Sequence, residues 1–183
     1  PEMKTLVAAL KAFTVLSLLT GIAYPVFVTL TASLIWRKQS EGQIERYGSP
    51  LVGQEFKSAE HFHSRPSAIG YNPLPSGGTN LGPISAALKE QIAERTRTGA
   101  ALDLLTTSAS GLDPHISPDS ARQQTERVAE ARRLNENQRV ELGTLIEQAV
   151  EQPTFDLLGE PRINVLLLNI ATDERFGKTS HGP

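Results

Sequence analysis

Residues 12–36 read AFTVLSLLTGIAYPVFVTLTASLIW, 25 positions without one charged side chain. As a helix this run measures about 37 Å against a hydrocarbon core of about 30 Å, so it can cross a bilayer with some tilt. Lys4 and Lys11 precede it, Arg37 and Lys38 follow at once, and Trp36 stands where an interfacial anchor belongs. Gly21 and Pro25 would weaken a soluble helix but are tolerated in a spanning one. A cleavable signal peptide needs an apolar region of only about 7–15 residues ending at a small-residue cleavage site. Here the one cleavage-like triplet, Thr31-Ala32-Ser33, lies inside the run, which ends in Leu34-Ile35-Trp36. The expectation is a short tail at 1–11 and an uncleaved anchor at 12–36. The flanking positive charges nearly balance, so the positive-inside rule leaves both orientations open.

The rest of the chain is mostly polar. Residues 37–50 carry charges and glycines without periodicity and read as a linker to a domain at 51–183. A formal net charge of −2 gives no basic surface for nucleic acid, and the lack of cysteine excludes disulfides and thiolate metal sites. Residues 71–83, YNPLPSGGTNLGP, are dense in turn formers. Ile84, Leu88 and Ile92 recur at helical spacing, with Gly99 as the stop. ALDLLTTSAS at 101–110 reads as a short strand. Ser117-Pro118 is a helix start, with serine as cap and proline at the first helical position. A second helix opens at Asn135, where Gln138 can close a capping box, and presents Leu142, Leu145, Ile146 and Ala149. RINVLLLNIATD at 162–173 reads as a buried strand continuing into a short helix. The mixed order predicts an α/β (mixed α+β) domain behind one spanning helix.

The chain has no G-x-x-x-x-G-K-[ST], no G-x-S-x-G and no H-E-x-x-H. His61 and His63 alternate as H-x-H, but a third metal ligand at sensible spacing is missing, which favours a turn with His63 hydrogen-bonded. Arg65, held extended by Pro66, suits a carboxylate or phosphate, with an internal ion pair favoured. The loops PSGGTN (75–80) and SASGLDP (108–114) could present N–H groups to an anion. Alternatively they are plain turns, with Gly77 and Gly78 supplying positive φ and Asp113-Pro114 starting a turn. A hydrolase pairing of Ser110 with His115 lacks an orienting acid at recognisable spacing. The chemistry favours a non-enzyme, and one spanning helix does not make a transport site unaided.

The motifs LTGIAYPVF (19–27), GQEF (53–56), FHSRPS (62–67), YNPLPSGGTNLGP (71–83), TSASGLDPHISPDSARQQTERVAEAR (107–132) and GEPRINVLLLNIATD (159–173) together resemble the C subunit of Kdp-type potassium-transporting ATPases. The likeness covers nearly the whole chain. It is poor at 37–50, where SEGQIERYG (40–48) replaces the family's QANGSLI-like stretch. The resemblance implies a non-catalytic subunit of a high-affinity, ATP-driven potassium importer in the bacterial inner membrane, its large domain periplasmic. The implied partners are a channel-like subunit, a P-type ATPase subunit, a small single-helix subunit and the lipid bilayer, with no nucleic acid. The family is described as a catalytic chaperone with ATP binding, an expectation that falls here on Ser108, Ser110, Gly111 and Asp113. A periplasmic domain does not meet cytoplasmic ATP, which makes these poor nucleotide ligands in that topology. Interface or structural roles fall on Gln54 and Phe56, on His63, Arg65, Pro66 and Ser67, and on Tyr71, Asn72, Ser76, Gly77, Gly78 and Asn80. Pro114, Ser117, Asn164 and Asn169 complete that set. The alternative is a stand-alone membrane-anchored ligand- or peptide-binding protein using Arg65 and the two glycine loops.

Overall fold

The computed structural model describes residues 2–178. The chain divides into two units, Pro1–Gln43 and Ile44–Pro183. The first is helical: α1 (Glu2–Leu18), a π-helical turn (Leu19–Ala23), α2 (Tyr24–Ile35) and a short α3 (Arg37–Ser40). The run from Glu2 to Ile35 is one helix of 34 residues, long and apolar enough to cross a membrane, and none of it is buried against protein. Helix therefore begins well before residue 12, taking in the expected tail. Pro25 explains the widened turn. Its ring crowds the carbonyl four residues back, at Gly21, and it has no N–H to offer. The ladder opens there, and Tyr24 N–H donates to the Leu19 carbonyl five residues back. Thr14, Thr20, Thr31 and Ser33 each donate their hydroxyl to the carbonyl four residues earlier. Their polar groups are thus satisfied without water, as a hydrocarbon medium demands.

In the second unit, α4 (Ala86–Arg97) is followed by a 3-10 turn (Leu102–Leu104), β1 (His115–Ile116), α5 (Pro118–Ala131), α6 (Glu136–Gln148), β2 (Ile163–Asn164) and α7 (Val165–Phe176). The two strands pair antiparallel, His115 with Asn164 and Ile116 with Ile163. Each runs directly into a capped helix. Ser117 accepts from Ser120 N at the start of α5, and Asn164 Oδ1 accepts from Leu167 N at the start of α7. The expected capping box forms on α6 between Asn135 and Gln138. Phe62, Ile116, Val128, Leu142, Ile146, Ile163, Leu166 and Leu168 fill the core between α5, α6 and α7.

The most demanding stretch is 59–63, which is buried in part yet joins no sheet. Asn169 on α7 accepts from Phe62 N at 2.8 Å and donates to Phe62 O at 2.9 Å. Gln124 on α5 does the same for His63, accepting at 2.7 Å and donating at 3.2 Å. Arg127 donates to the carbonyls of Ala59 and His61, and Arg132 to that of Glu60. Side-chain amides and guanidiniums here replace a strand's backbone partners. Arg132 also reaches Asp173 at 2.7 Å, and Asp173 accepts from Tyr47 Oη.

Several sequence expectations need correction. Residues 101–110 are not a strand. Asp103 is turned inward to accept from Ser117 N at 2.8 Å and from the hydroxyls of Ser117 and Ser120, which requires the 3-10 turn. Residues 162–173 are helix after only two strand residues, because the Asn164 cap starts α7 immediately. Ile84 lies outside α4 and is exposed, Ser85 being the cap. The expected linker is partly domain: Tyr47 packs edge-on to Phe56 at 6.2 Å, and Pro50 O accepts from Asn164 Nδ2 at 2.8 Å.

Two outcomes test this packing in the full chain in detergent. Asn169→Ala strands two buried backbone groups and should cost roughly 1–3 kcal/mol for each, read from denaturant midpoints. Burial, reinforced at His63 by Arg127, holds the His61 and His63 imidazoles below the ordinary 6.5. The unfolded chain therefore takes up protons first as pH falls below 6.5, and stability declines from there down to the folded-state values. His63→Gln should flatten the loss of thermal midpoint between pH 7.5 and pH 5.

Candidate functional site

The two small-residue loops meet. Gly77 N–H donates to Ser110 O at 3.0 Å, and Thr79 Oγ1 lies 3.5 Å from Thr107 Oγ1. Behind them, Ser67 Oγ donates to Gly111 O at 2.7 Å and accepts from the amides of Ile69 and Tyr71. Ser108 N–H donates to Pro66 O at 2.9 Å, and Tyr71 Oη to Arg65 O at 2.8 Å. Burial pushes the Tyr71 hydroxyl's pKa up, so it stays a donor. Glycine is demanded at two points. A Cβ on Gly78 would lie 2.7 Å from Ala109 O, and one on Gly111, at φ +70°, would lie 2.8 Å from Gly77 O. Gly77 and Gly78 do not have the positive φ expected of them; close approach, not handedness, accounts for Gly78. The left-handed residues are instead Gly70, Tyr71, Asn80 and Gly111.

Arg65 makes the internal ion pair that the sequence favoured. Its Nη1 donates to Asp113 Oδ2 at 3.1 Å and its Nε to Asp103 O at 3.2 Å. Asp113 Oδ1 accepts from His115 N at 3.0 Å, with the imidazole Nδ1 3.6 Å away. Burial pushes the Asp113 carboxyl up, but His115 and Arg65 together outweigh it and hold it below its usual range. A cleft of about 350 Å³ opens over this group, bounded on the far side by Arg162. A second, of about 480 Å³, runs beside Gln54, Lys57, Tyr71 and Leu112. Its wall forms because Gly53 N–H donates to Leu112 O at 2.7 Å and Gln54 Nε2 to Val52 O at 3.1 Å.

Arg65, Pro66, Ser67, Tyr71, Gly77, Gly78, Ser110 and Asp113 therefore form one continuous surface over the buried Ser108 and Gly111, with Gln54 at its edge. Phe56, Asn164 and Asn169 belong to the core instead, and His63 anchors its turn by donating from Nε2 to Ser58 O at 3.0 Å. Pro114 O accepts from Val165 N at 3.0 Å, and Ser117 caps α5, so both serve the scaffold. Asn72, Ser76 and Asn80 are exposed on the outer loop, Asn72 Oδ1 accepting from Leu74 N. Asp103, Gln124, Arg132 and Asp173 went unnoticed in the sequence. Their partners lie 14 to 126 residues away, and no local spacing marks them.

Four amides of the 108–113 loop are already engaged within the protein. Those at Ser108, Gly111, Leu112 and Asp113 donate to Pro66 O, Ser108 O, Ser110 Oγ and Ser108 Oγ. An anionic Asp113 beside them would repel a phosphate. Nor is there a hydrolytic pair: Ser110 Oγ engages Ser108 Oγ and Leu112 N, His115 faces Asp113, and no hydrogen bond joins Ser110 to His115 among the described residues.

The family model described as "KdpC: K+-transporting ATPase, c chain" matches residues 6–174. A Myxococcus xanthus protein named Potassium-transporting ATPase KdpC subunit is 45% identical over 193 residues, covering 94% of this chain and 89% of its own. Proteins of the same name from Rhodospirillum rubrum and Herpetosiphon aurantiacus are each 42% identical, covering 95% and 91% of this chain and 97% and 94% of theirs. A scaffold of internally satisfied loops behind one long apolar helix therefore has a family: the chain belongs to KdpC, the c chain of the K+-transporting ATPases.

Proposed function

We propose that this chain is a non-catalytic accessory subunit of an ATP-driven potassium importer. Its N-terminal helix anchors it in the bacterial inner membrane, and its folded domain lies on the periplasmic side. There it stabilises the assembly of a channel-like subunit, a P-type ATPase subunit and a small single-helix subunit. The observation that carries this reading is the joined loop surface from Arg65 to Asp113. The amides of Gly77, Ser108, Gly111, Leu112 and Asp113 are bonded within it, which stiffens it and favours shape over reactivity. A surface fixed in advance loses little conformational entropy when a partner settles on it.

A chaperone effect on nucleotide affinity then works at a distance. The subunit favours the pump conformation that holds ATP and has no need to touch the nucleotide. The cleft beside Gln54 gives a specific place to a second reading, a stand-alone binding protein for a peptide or small ligand.

Affinity purification of the tagged chain from its own membranes separates the two: the first reading expects larger membrane subunits in fixed stoichiometry, the second the chain alone. Gly111→Val, which forces a side chain against Gly77 O, should lower the yield of assembled complex and slow potassium uptake at limiting potassium. Ser110→Ala should leave both within about twofold, since the two hydrogen bonds it removes, with Ser108 Oγ and Leu112 N, are local to the loop and worth about 1 kcal/mol each. ATP added to the isolated chain should not shift its thermal midpoint; a saturable shift abolished by Ser108→Ala would overturn the distant mode of action.

A further inference from the structure

Between α6 and β2 the chain makes a small hairpin that the core does not need. Glu151 and Arg162 exchange two backbone hydrogen bonds, at 2.8 and 3.1 Å, and their side chains pair at 3.0 Å. Thr154 and Leu158 exchange two more, at 2.9 and 3.0 Å. Pro153 and Pro161 stiffen the arms. At its tip Phe155 is 90% exposed, Leu157 82% and Leu158 62%. Phe155 and Asp156 both hold left-handed φ values, 57° and 56°. That conformation is uncommon for a bulky side chain and is found where the surrounding structure imposes it.

We propose that this hairpin is a docking element, and that its occupant is another protein subunit carrying an apolar pocket with a basic rim. The inference rests on the accessory-subunit reading and specifies one of its contacts. Three large exposed apolar side chains within four residues, on a backbone held by four hydrogen bonds, amount to an anchor prepared before binding. The charge of the segment selects among occupants. Residues 152–161 contain Asp156 and Glu160 and no lysine or arginine, while Glu151 and Arg162 neutralise each other. An anionic bilayer surface attracts basic segments and disfavours this one. A second copy would set Asp156 against Asp156. A pocket lined by apolar groups and edged by lysine or arginine satisfies both the tip and its carboxylates, which steer the encounter.

The test uses the assembled complex in native membranes, with the photocrosslinker p-benzoylphenylalanine in place of Phe155. Light should join the chain to one other subunit, at a peptide rich in apolar residues and flanked by lysine or arginine. Crosslinks confined to lipid, to a second copy or to the chain itself would overturn the inference. The double variant Phe155→Ser/Leu157→Ser should keep the wild-type thermal midpoint, because neither side chain is in the core. It should lower recovery of the other subunits at least about tenfold, as loss of an anchor does. Asp156→Lys should lower it too, most at low salt. Full recovery with both variants sinks the hairpin alone and leaves the accessory-subunit reading standing. A wild-type chain that purifies without companions sinks both.

Discussion

A partly buried turn with no sheet beside it has to be answered group by group, and residues 59–63 are such a stretch. The cost of leaving an amide or carbonyl unpaired inside a protein approaches that of losing a whole core contact. The chain meets it with Asn169 and Gln124, whose carboxamides present the same donor and acceptor pair as a peptide group. These two side chains come from α7 and α5, so pairing the segment also sets the spacing of the helices. The core between them is apolar in the ordinary way, but its register is polar in origin.

The same logic extends outward. Asp173 draws Arg132 and Tyr47 to one buried point, which ties the first turn of the domain to its last helix. Asp103 draws Ser117 and Ser120, which fixes where α5 begins relative to the preceding loop. From there the chain runs back through Ser108 to Pro66 and through Ser67 to Gly111, so the loop surface inherits its rigidity from the helix caps. Much of this domain is held by single side chains that each satisfy several backbone groups.

Local chemistry was legible in the sequence, and long-range chemistry was not. The cap at Ser117, the capping box at Asn135 and Gln138, the Leu142 and Ile146 stripe and the internal pairing of Arg65 each depend on neighbours or on general affinity, and each is present. The strand expected at 101–110 is absent and the one at 162–173 is only two residues long before its helix, because apolar runs of that length do not distinguish strand from buried helix or turn. What decided them was Asp103 and Asn164, polar residues whose partners are set by the tertiary fold. The site was legible as a set of motifs but not as a surface. The hydrogen bond from Gly77 to Ser110 and the close contacts of Gly78 with Ala109 and of Gly111 with Gly77 reveal that two distant loops are one body.

The widened turn at Leu19–Ala23 changes the angular address of every residue beyond it. A π turn holds about 4.4 residues where an α turn holds 3.6, so the stripe of side chains is rotated by most of one residue's 100° step. A helical wheel drawn uniformly from Glu2 to Ile35 puts Phe13 and Phe27 on faces they do not share in the molecule. A straight helix packed along its whole length would meet two separate stripes, one on either side of the widened turn.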